Sequence, residues 1–535
     1  MRPILTLHDP AQARFYYDRG LWTDDTFYSL LAHHVGQRPD DHALRDGRHR
    51  VSWIELKAWV DGVAADLRSQ GLVAGDRVSI WMSNRLEGLV LFLACGREAF
   101  ACNPSLHRTH TCAEVVELLS QLQTAVLMTE PGWGADADRK KLDSLLGDLP
   151  YLRKVYTPET FPAAGAAPAT EPSTNPDAVE YLAFTSGTTG APKCVMHSAN
   201  TLMANARDLA RDWHLGSQSK ILTLSPFSHH IAWVAAAQWL ICGGELIADD
   251  PPNGMSRLDW IIQTEATYVL GVPTHAMDLL AEQRARGLPR LGSVETFYMA
   301  GAPIPPTVAE AFVKQGVKPQ NVYGMTENSS HQYTHPDDAT ATILTTCGRG
   351  GDAYETRIFS TENADVEVPQ GTVGQIGGRG ACLTLGYFGN QEATQASFNR
   401  DGWFLSGDLG KLNEEGHLIV EGRLKDLIIR GGHNIYPAHI EALTVRDRRV
   451  EKAAAFAVAD ERLGEKVCLA VIGDITAEVM LRHLADEGLS KFDMPEFFIN
   501  VEEFPLTASG KILKRELEQM VKRGDLVPAP VSVVI

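Results

Sequence analysis

The sequence predicts an α/β protein in two parts, a large N-terminal domain of several α/β subdomains and a small mobile C-terminal α+β domain. Three observations carry this reading. The chain has 535 residues, more than one simple core serves, since single domains cluster near about 100–200 residues. Short β-rich runs alternate with helical periodicities along its first part, the pattern of layers built on parallel sheet. A stretch dense in Gly, Asp, Arg and Lys at 401–437 is followed by a fresh series of helix and strand patterns. The boundary is drawn at Leu424–Lys425, giving one domain over 1–424 and a second over 425–535.

The elements follow in chain order. RVSIWMSN (77–84) reads as a buried strand and the apolar run after it as a helix. TCAEVVELLSQLQ (111–123) has amphipathic helical spacing, and TAVLMTE (124–130) is a second strand. PAAGAAPATEPSTNPD (162–177) is a surface loop by composition. A short strand YLAF (181–184) then leads into FTSGTTGAPK (184–193), with a helix expected from about Ser198 to Trp213. IAWVAAAQWLIC (231–242) is too short for a membrane span, which needs about 20 apolar residues, and reads as a buried helix. PQGTVGQIGGRG (369–380) is a glycine-rich β-turn region. In the C-terminal part, helices are expected near 437–447 and 476–487, strands at AAAFAVAD and KVCLAVI, and a last Lys-rich helix from Lys511.

Bulk properties narrow the function. With 67 acidic and 49 basic residues the net charge is −18, which argues against general binding to nucleic acid or an anionic membrane. The N-terminus lacks a signal-peptide core. The eight cysteines are scattered without CxxC or metal-ligand spacing, as in a cytoplasmic protein with reduced thiols. No GxGxxG follows a strand, so a dinucleotide fingerprint is absent.

FTSGTTGAPK sets glycines and hydroxyls beside a cation, a composition suited to cradling phosphate. It is not a Walker A loop, because the residue after Lys193 is Cys194 rather than the hydroxyl that would hold magnesium. Strand, glycine-rich turn and helix in that order would aim backbone N–H groups at a phosphate.

Four stretches in order, FTSGTTGAPK, YGMTEN (323–328), GWFLSGDLG (402–410) with GRLKD (422–426), and LTASGKILK (506–514), resemble the acyl-adenylate-forming superfamily. That family includes acyl-CoA synthetases, aryl-acid activators, peptide-synthetase adenylation domains and beetle luciferases. The resemblance spans nearly the whole chain and implies the adenylate-forming fold. It also implies attack of a carboxylate on the α-phosphate of ATP, then displacement of AMP by a thiol, with ATP, Mg2+ and coenzyme A as cosubstrates and cofactor.

By the resemblance, Thr185, Ser186, Gly187, Thr188, Thr189, Gly190 and Lys193 hold the β and γ phosphates. Glu327 is the magnesium ligand, a carboxylate suited to a hard cation, and Thr326 contacts the α-phosphate. Gly301, Ala302 and Pro303 form the adenine wall, and Tyr323 stacks on the base beside Gly324 and Met325. Asp408 accepts the ribose hydroxyls with Arg423 as its partner. Lys511 bridges the attacking carboxylate and the α-phosphate, and Lys425 is the hinge. Gly431 and Gly432 line the thiol tunnel, although the residues alone read equally as a plain turn.

SPFSHHIAW (225–233) matches the family's substrate-facing motif. His229 falls near the α-phosphate and the substrate carboxylate, and His230, Ile231 and Trp233 approach the acyl group. The paired histidine could instead be core packing. ARFYYDRGLWTDDTFYSLLAHH (13–34) is similar to 2,3-dihydroxybenzoate-activating enzymes, and PKCVMHSANT (192–201) to cyclohexanecarboxylate–CoA ligases. Both imply an alicyclic or aromatic acid. Cys194 stands where the family usually has glycine, and the serine of PFSHH replaces a more common apolar residue or histidine.

The expected activity is therefore an acid–CoA ligase acting on a small-molecule carboxylic acid, with no nucleic acid, no integral membrane segment, and a homodimer as one option for its assembly. Three alternatives remain: loading of a separate carrier protein, a medium-chain fatty acyl-CoA synthetase, and a luciferase-like monooxygenase. A catalytically inactive binding module fits poorly with intact Lys511, Glu327 and Asp408.

Overall fold

A computed structural model describes residues 3–185, 192–506 and 512–531. The chain divides into two compact units, Met1–Glu355 with Arg379–Ala396, and Thr356–Gly378 with Ser397–Ile535. The boundary drawn from sequence lies inside the second unit, at the short 3-10 turn Leu424–Asp426.

The first unit carries two large sheets. One has eight strands in the order Ser329–Tyr333, Lys318–Met325, Thr296–Ala300, Tyr268–Gly271, Lys220–Thr223, Glu245–Ala248, His42–Arg45 and Arg50–Ser52. Its six inner strands run parallel, and both edge strands are antiparallel to their neighbours. The other has six strands in the order Lys154–Tyr156, Thr124–Thr129, Arg77–Trp81, Ala101–Asn103, Val179–Thr185 and Lys193–Ser198, parallel except for the last pair. Helices Leu86–Arg97, Ala199–Asp212 and His230–Cys242 contribute to the unit's largest apolar core. His230–Cys242 is the helix expected from IAWVAAAQWLIC, and it is apolar on every side because both its faces are covered. No helix among the described residues is long and apolar enough to cross a membrane.

One local expectation is corrected. The phosphate loop does not lead directly into a helix. Strand Lys193–Ser198 intervenes and pairs antiparallel with Val179–Thr185, Thr185 lying opposite Lys193. The loop 186–191, outside the described residues, thus connects the two arms of a β-hairpin. The helix begins only at Ala199, where the Ser198 hydroxyl accepts from Thr201 N and Thr201 Oγ1 accepts from Ser198 N.

The second unit carries a four-stranded sheet through Phe404–Leu412 and Leu418–Arg423 and, after the turn, a six-stranded sheet. Strand Val450–Asp460 pairs with Gly464–Gly473 along its length, as the two β runs of the sequence imply. Helices Pro437–Thr444, Ala477–Asp486 and Lys514–Arg523 accompany it. The last helix starts three residues later than expected. Leu506 and Ile512 form an antiparallel bridge, and Leu513 N donates to Pro505 O at 2.8 Å, so the chain is still extended before Lys514.

Glu180, in strand Val179–Thr185, is buried against helix Leu86–Arg97. Its Oε1 finds no hydrogen-bond partner among the described residues, and Gly96 makes room for it: a Cβ there would stand 1.8 Å from that oxygen. Burial pushes the carboxyl up to about 8, so it is mostly protonated at neutral pH. A raised carboxyl binds its proton more tightly folded than unfolded, so its contribution is complete below the unfolded value and declines as pH rises through the folded one. Glu180→Gln should therefore melt close to wild type in mild acid, and above pH 8 it should melt higher by about 2–4 °C. Melting curves across that range check the crossover.

Candidate active site

Several of the residues singled out from sequence in the first unit stand at the carboxyl ends of parallel strands, where open α/β sheets bind ligands. Ser225–His229 leaves the end of Lys220–Thr223, Gly301–Pro303 leaves Thr296–Ala300, and Thr326–Asn328 leaves Lys318–Met325. Gly301 has φ +86, a conformation that suits glycine at the exit of its strand. Ala302 and Pro303 are exposed beside it.

The turn at Thr326–Asn328 is tightly made. A Cβ on Gly324 would stand 1.7 Å from Ser329 O, so only glycine fits. Ser329 takes φ +55, and the Asn328 side chain closes the turn by accepting from Met325 N at 3.1 Å and donating to the Tyr354 hydroxyl at 3.2 Å. Before the turn, the Tyr323 ring meets His331 edge-on with centroids 5.5 Å apart.

Two sequence-distant groups hold this turn. His197, from the hairpin strand, donates from Nε2 to Thr326 O at 2.6 Å, and its Nδ1 lies 3.0 Å from Thr201 Oγ1. A carbonyl only accepts, so Nε2 carries the proton. Thr384 N donates to Glu327 O at 2.7 Å, and the Tyr387 hydroxyl donates to Glu327 Oε1 at 3.0 Å. The opposite relation of the same tyrosine is to Lys193, whose Nζ lies over its ring 4.7 Å from the centroid. The phosphate-loop lysine and the acidic residue of YGMTEN thus meet on one phenol. Glu327 offers hard carboxylate oxygen whose orientation is set by neighbours, which fits a magnesium ion.

Histidines line the start of helix His230–Cys242. His230 approaches Ser329 Oγ at 3.0 Å through Nε2 and the Tyr181 hydroxyl at 3.2 Å through Nδ1, with His197 stacked alongside at 5.7 Å. The His229 ring lies 4.4 Å from that of His107, which reaches Ser228 Oγ at 3.1 Å. Ile231 is partly buried against the core. Trp233 is within the core, its indole N–H donating to Phe227 O at 2.7 Å and its ring packed on Phe92. Cys194 is buried, and burial pushes its thiol far up, so it is no reactive nucleophile.

The second unit holds the remaining residues. Asp408 and Arg423 are cross-strand partners, Nε to Oδ1 at 3.2 Å, with Asp408 the more buried. Lys425 is in the turn Leu424–Asp426. Gly431 and Gly432, at φ +59 and +86, form the two-residue loop of the hairpin Ile428–Arg430 and His433–Ile435, a turn that needs positive φ at both positions. The plain-turn reading is thus correct as geometry, whatever else passes there. Lys514 pairs with Glu441 at 2.7 Å and ties the last helix to Pro437–Thr444. Ser186, Gly187, Thr188, Thr189, Gly190 and Lys511 lie outside the described residues.

Sequence reasoning missed His107, His197 and Tyr387. His197 lies in a stretch quoted for its family likeness but carries no motif signal of its own. Tyr387 is placed by an isolated bridge to Val195, a pairing between segments 192 positions apart that no periodicity announces.

Burial drives His107 and His230 down to about 3, and His197 and His275 to about 4, with neighbouring histidines adding to the shift at His107, His230 and His275. These imidazoles are neutral at pH 7. Below the ordinary value near 6.5 the unfolded chain takes up protons that the folded one refuses, so stability falls with pH toward about 4. His230→Gln should lose less of its melting temperature than wild type between pH 7 and pH 5. Melting curves at the two values decide it.

A model of the AMP-binding enzyme family matches residues 31–388, and one of the AMP-binding enzyme C-terminal domain matches 439–511. The chain is 27% identical over 546 residues to the medium-chain fatty-acid–CoA ligase of Escherichia coli K12, covering 98% of this chain and 95% of that protein. It is 30% identical over 545 residues to a salicylyl-CoA synthase / salicylate adenylyltransferase of a Streptomyces species, covering 96% and 97%. Among solved structures, o-succinylbenzoate CoA synthetase from Bacillus subtilis in complex with its acyl-adenylate intermediate superposes with a TM-score of 0.79 at 25% identity, over 92% of this chain and 98% of that one. The chain belongs to the AMP-binding enzyme family.

Proposed function

We propose that this chain is an ATP-dependent, AMP-forming acid–CoA ligase. It activates a hydrophobic acid, alicyclic or aromatic, as acyl-AMP and transfers the acyl group to coenzyme A. The observation that carries this reading is the meeting of Lys193 and Glu327 on Tyr387, which brings the phosphate loop and the acidic turn to one place. The salicylyl-CoA relative favours the aromatic substrate. The likeness to the Escherichia coli medium-chain ligase favours a second reading, a medium-chain fatty acid. All eight cysteines are free thiols, which fits a cytoplasmic protein.

In this mechanism the loop 185–193 grips the β and γ phosphates, and Tyr323 with Gly301, Ala302 and Pro303 encloses the adenine. Gly324 and Met325 lead the chain past the nucleotide to Thr326, which contacts the α-phosphate. Asp408, oriented by Arg423, accepts from the ribose hydroxyls. Glu327 would hold a magnesium ion, which supplies charge neutralisation for the departing pyrophosphate. The acid's carboxylate oxygen bonds to the α-phosphorus as the bond to pyrophosphate breaks. Lys511 stabilises the charge that develops there, the kind of electrostatic aid worth about 100–1,000-fold in rate. His229 borders the reacting carboxylate, His230 and Ile231 border the acyl group, and Trp233 forms the buried floor behind them. The C-terminal domain then turns at Lys425, the thiol enters past Gly431 and Gly432, and its sulfur attacks the carbonyl carbon as AMP leaves.

Exchange of labelled pyrophosphate into ATP across a panel of carboxylic acids tests adenylation, and the failure of every acid to stimulate exchange would refute it. Exchange without acyl-CoA on mass spectrometry would favour a carrier protein as acceptor. Lys511→Ala should lower exchange by about 100-fold or more while still converting supplied acyl-AMP and CoA to thioester. Equal loss of both half-reactions would contradict the rotating-domain mechanism. Gly432→Asn, which tolerates the left-handed turn, should keep exchange and lose thioester formation.

A further inference from the structure

We propose that Tyr387 is a positioning residue for adenylation, holding the Glu327 carboxylate on its hydroxyl and the Lys193 ammonium on its ring face. The inference rests on the roles given to those two residues above.

Tyr387 is buried and firmly mounted. The segment 384–388 runs beside the hairpin strand Lys193–Ser198: Leu385 N donates to Met196 O at 2.9 Å, Met196 N to Gly386 O at 3.0 Å, and Phe388 N to Cys194 O at 2.7 Å. Tyr387 N itself donates to Thr394 Oγ1 at 3.0 Å. The same segment reaches the acidic turn through Thr384 N and Glu327 O. The phenol therefore belongs to a backbone bracket that grips the phosphate hairpin on one side and the acidic turn on the other.

Each contact leaves its partner able to act. A phenol donates a single proton, here to Glu327 Oε1, whereas a carboxylate has about four lone-pair sites, so this bond does not by itself use up the group's capacity for a hard cation. A ring face attracts an ammonium without consuming its three donors, so Lys193 stays available for phosphate oxygens. The phenol gives each of them a contact of its own, ring face to ammonium and hydroxyl to carboxylate.

The two contacts separate by substitution. Tyr387→Phe keeps the ring and loses the hydroxyl, while Tyr387→Leu loses both. Binding of Mn2+, as a probe for the metal, is followed by its electron paramagnetic resonance in the presence of a non-hydrolysable ATP analogue. Metal-free binding of the analogue is followed by calorimetry, and melting curves report folding.

For Tyr387→Phe the Mn2+ dissociation constant in the ternary complex should rise about tenfold, the size of one hydrogen bond to a charged group. Its metal-free nucleotide affinity should stay within about twofold and its melting temperature near wild type. Tyr387→Leu should also weaken metal-free nucleotide binding by about fivefold or more, as Lys193 loses its support. Unchanged Mn2+ binding in Tyr387→Phe would overturn the inference, as would parallel losses of metal affinity, nucleotide affinity and melting temperature. If wild type binds nucleotide and metal and exchanges pyrophosphate while Tyr387→Phe matches it, only this inference fails. If wild type itself binds Mn2+ no better with nucleotide than without, the reading of Glu327 falls and this inference with it.

Discussion

The part-buried hydrogen bond from His197 Nε2 to Thr326 O joins the two sheets of the large unit. His197 comes from the edge strand of the six-stranded sheet, and Thr326 from the turn after a strand of the eight-stranded one. Leaving a buried carbonyl without a partner costs about 1–3 kcal/mol. The bond also fixes the imidazole tautomer, because a protonated Nε2 obliges Nδ1 to accept at Thr201. Gly324, Ser329 and Asn328 shape the turn, and His197 with the segment around Thr384–Tyr387 sets where it sits. Strand Lys193–Ser198 and the turn Thr326–Asn328 are thereby held to one another.

On the function proposed above, this arrangement accounts for the loop having no hydroxyl after Lys193. A Walker A loop carries its metal-binding hydroxyl on the helix that follows the phosphate cradle. Here a strand follows, Cys194 turns into the core, and the carboxylate comes from residue 327 on a different sheet. Assembly from separate elements preorganises charge only if those elements are rigidly joined. Buried neutral histidines assist, since His197 and His230 bond to the turn without adding charge to it.

Much of the fold was legible because its signals are local. The buried helix from 230 and the paired strands after 450 follow from unbroken apolar runs and alternation. The partnership of Asp408 and Arg423 was expected from motif likeness and appears as a cross-strand pair. What escaped depends on register between distant segments. The strand Lys193–Ser198 was overlooked because its run is short and merges into the helix. Tyr387 was invisible because nothing near it in sequence points to Lys193 or Glu327. Trp233 reads as a pocket residue by motif, yet the structure gives its indole an internal partner and a place in the core. Motif likeness points to candidate site residues but not to the side chains, such as His197 and Tyr387, that contact them.

The central claim is that a carboxylate attacks the α-phosphorus of ATP. Its most direct test uses a carboxylic acid that supports turnover, labelled with 18O in both carboxyl oxygens, together with ATP and coenzyme A. The account predicts that AMP from the completed reaction carries one 18O, left behind when the thiol takes the acyl group. AMP without label, or label appearing in pyrophosphate or inorganic phosphate instead, would contradict it.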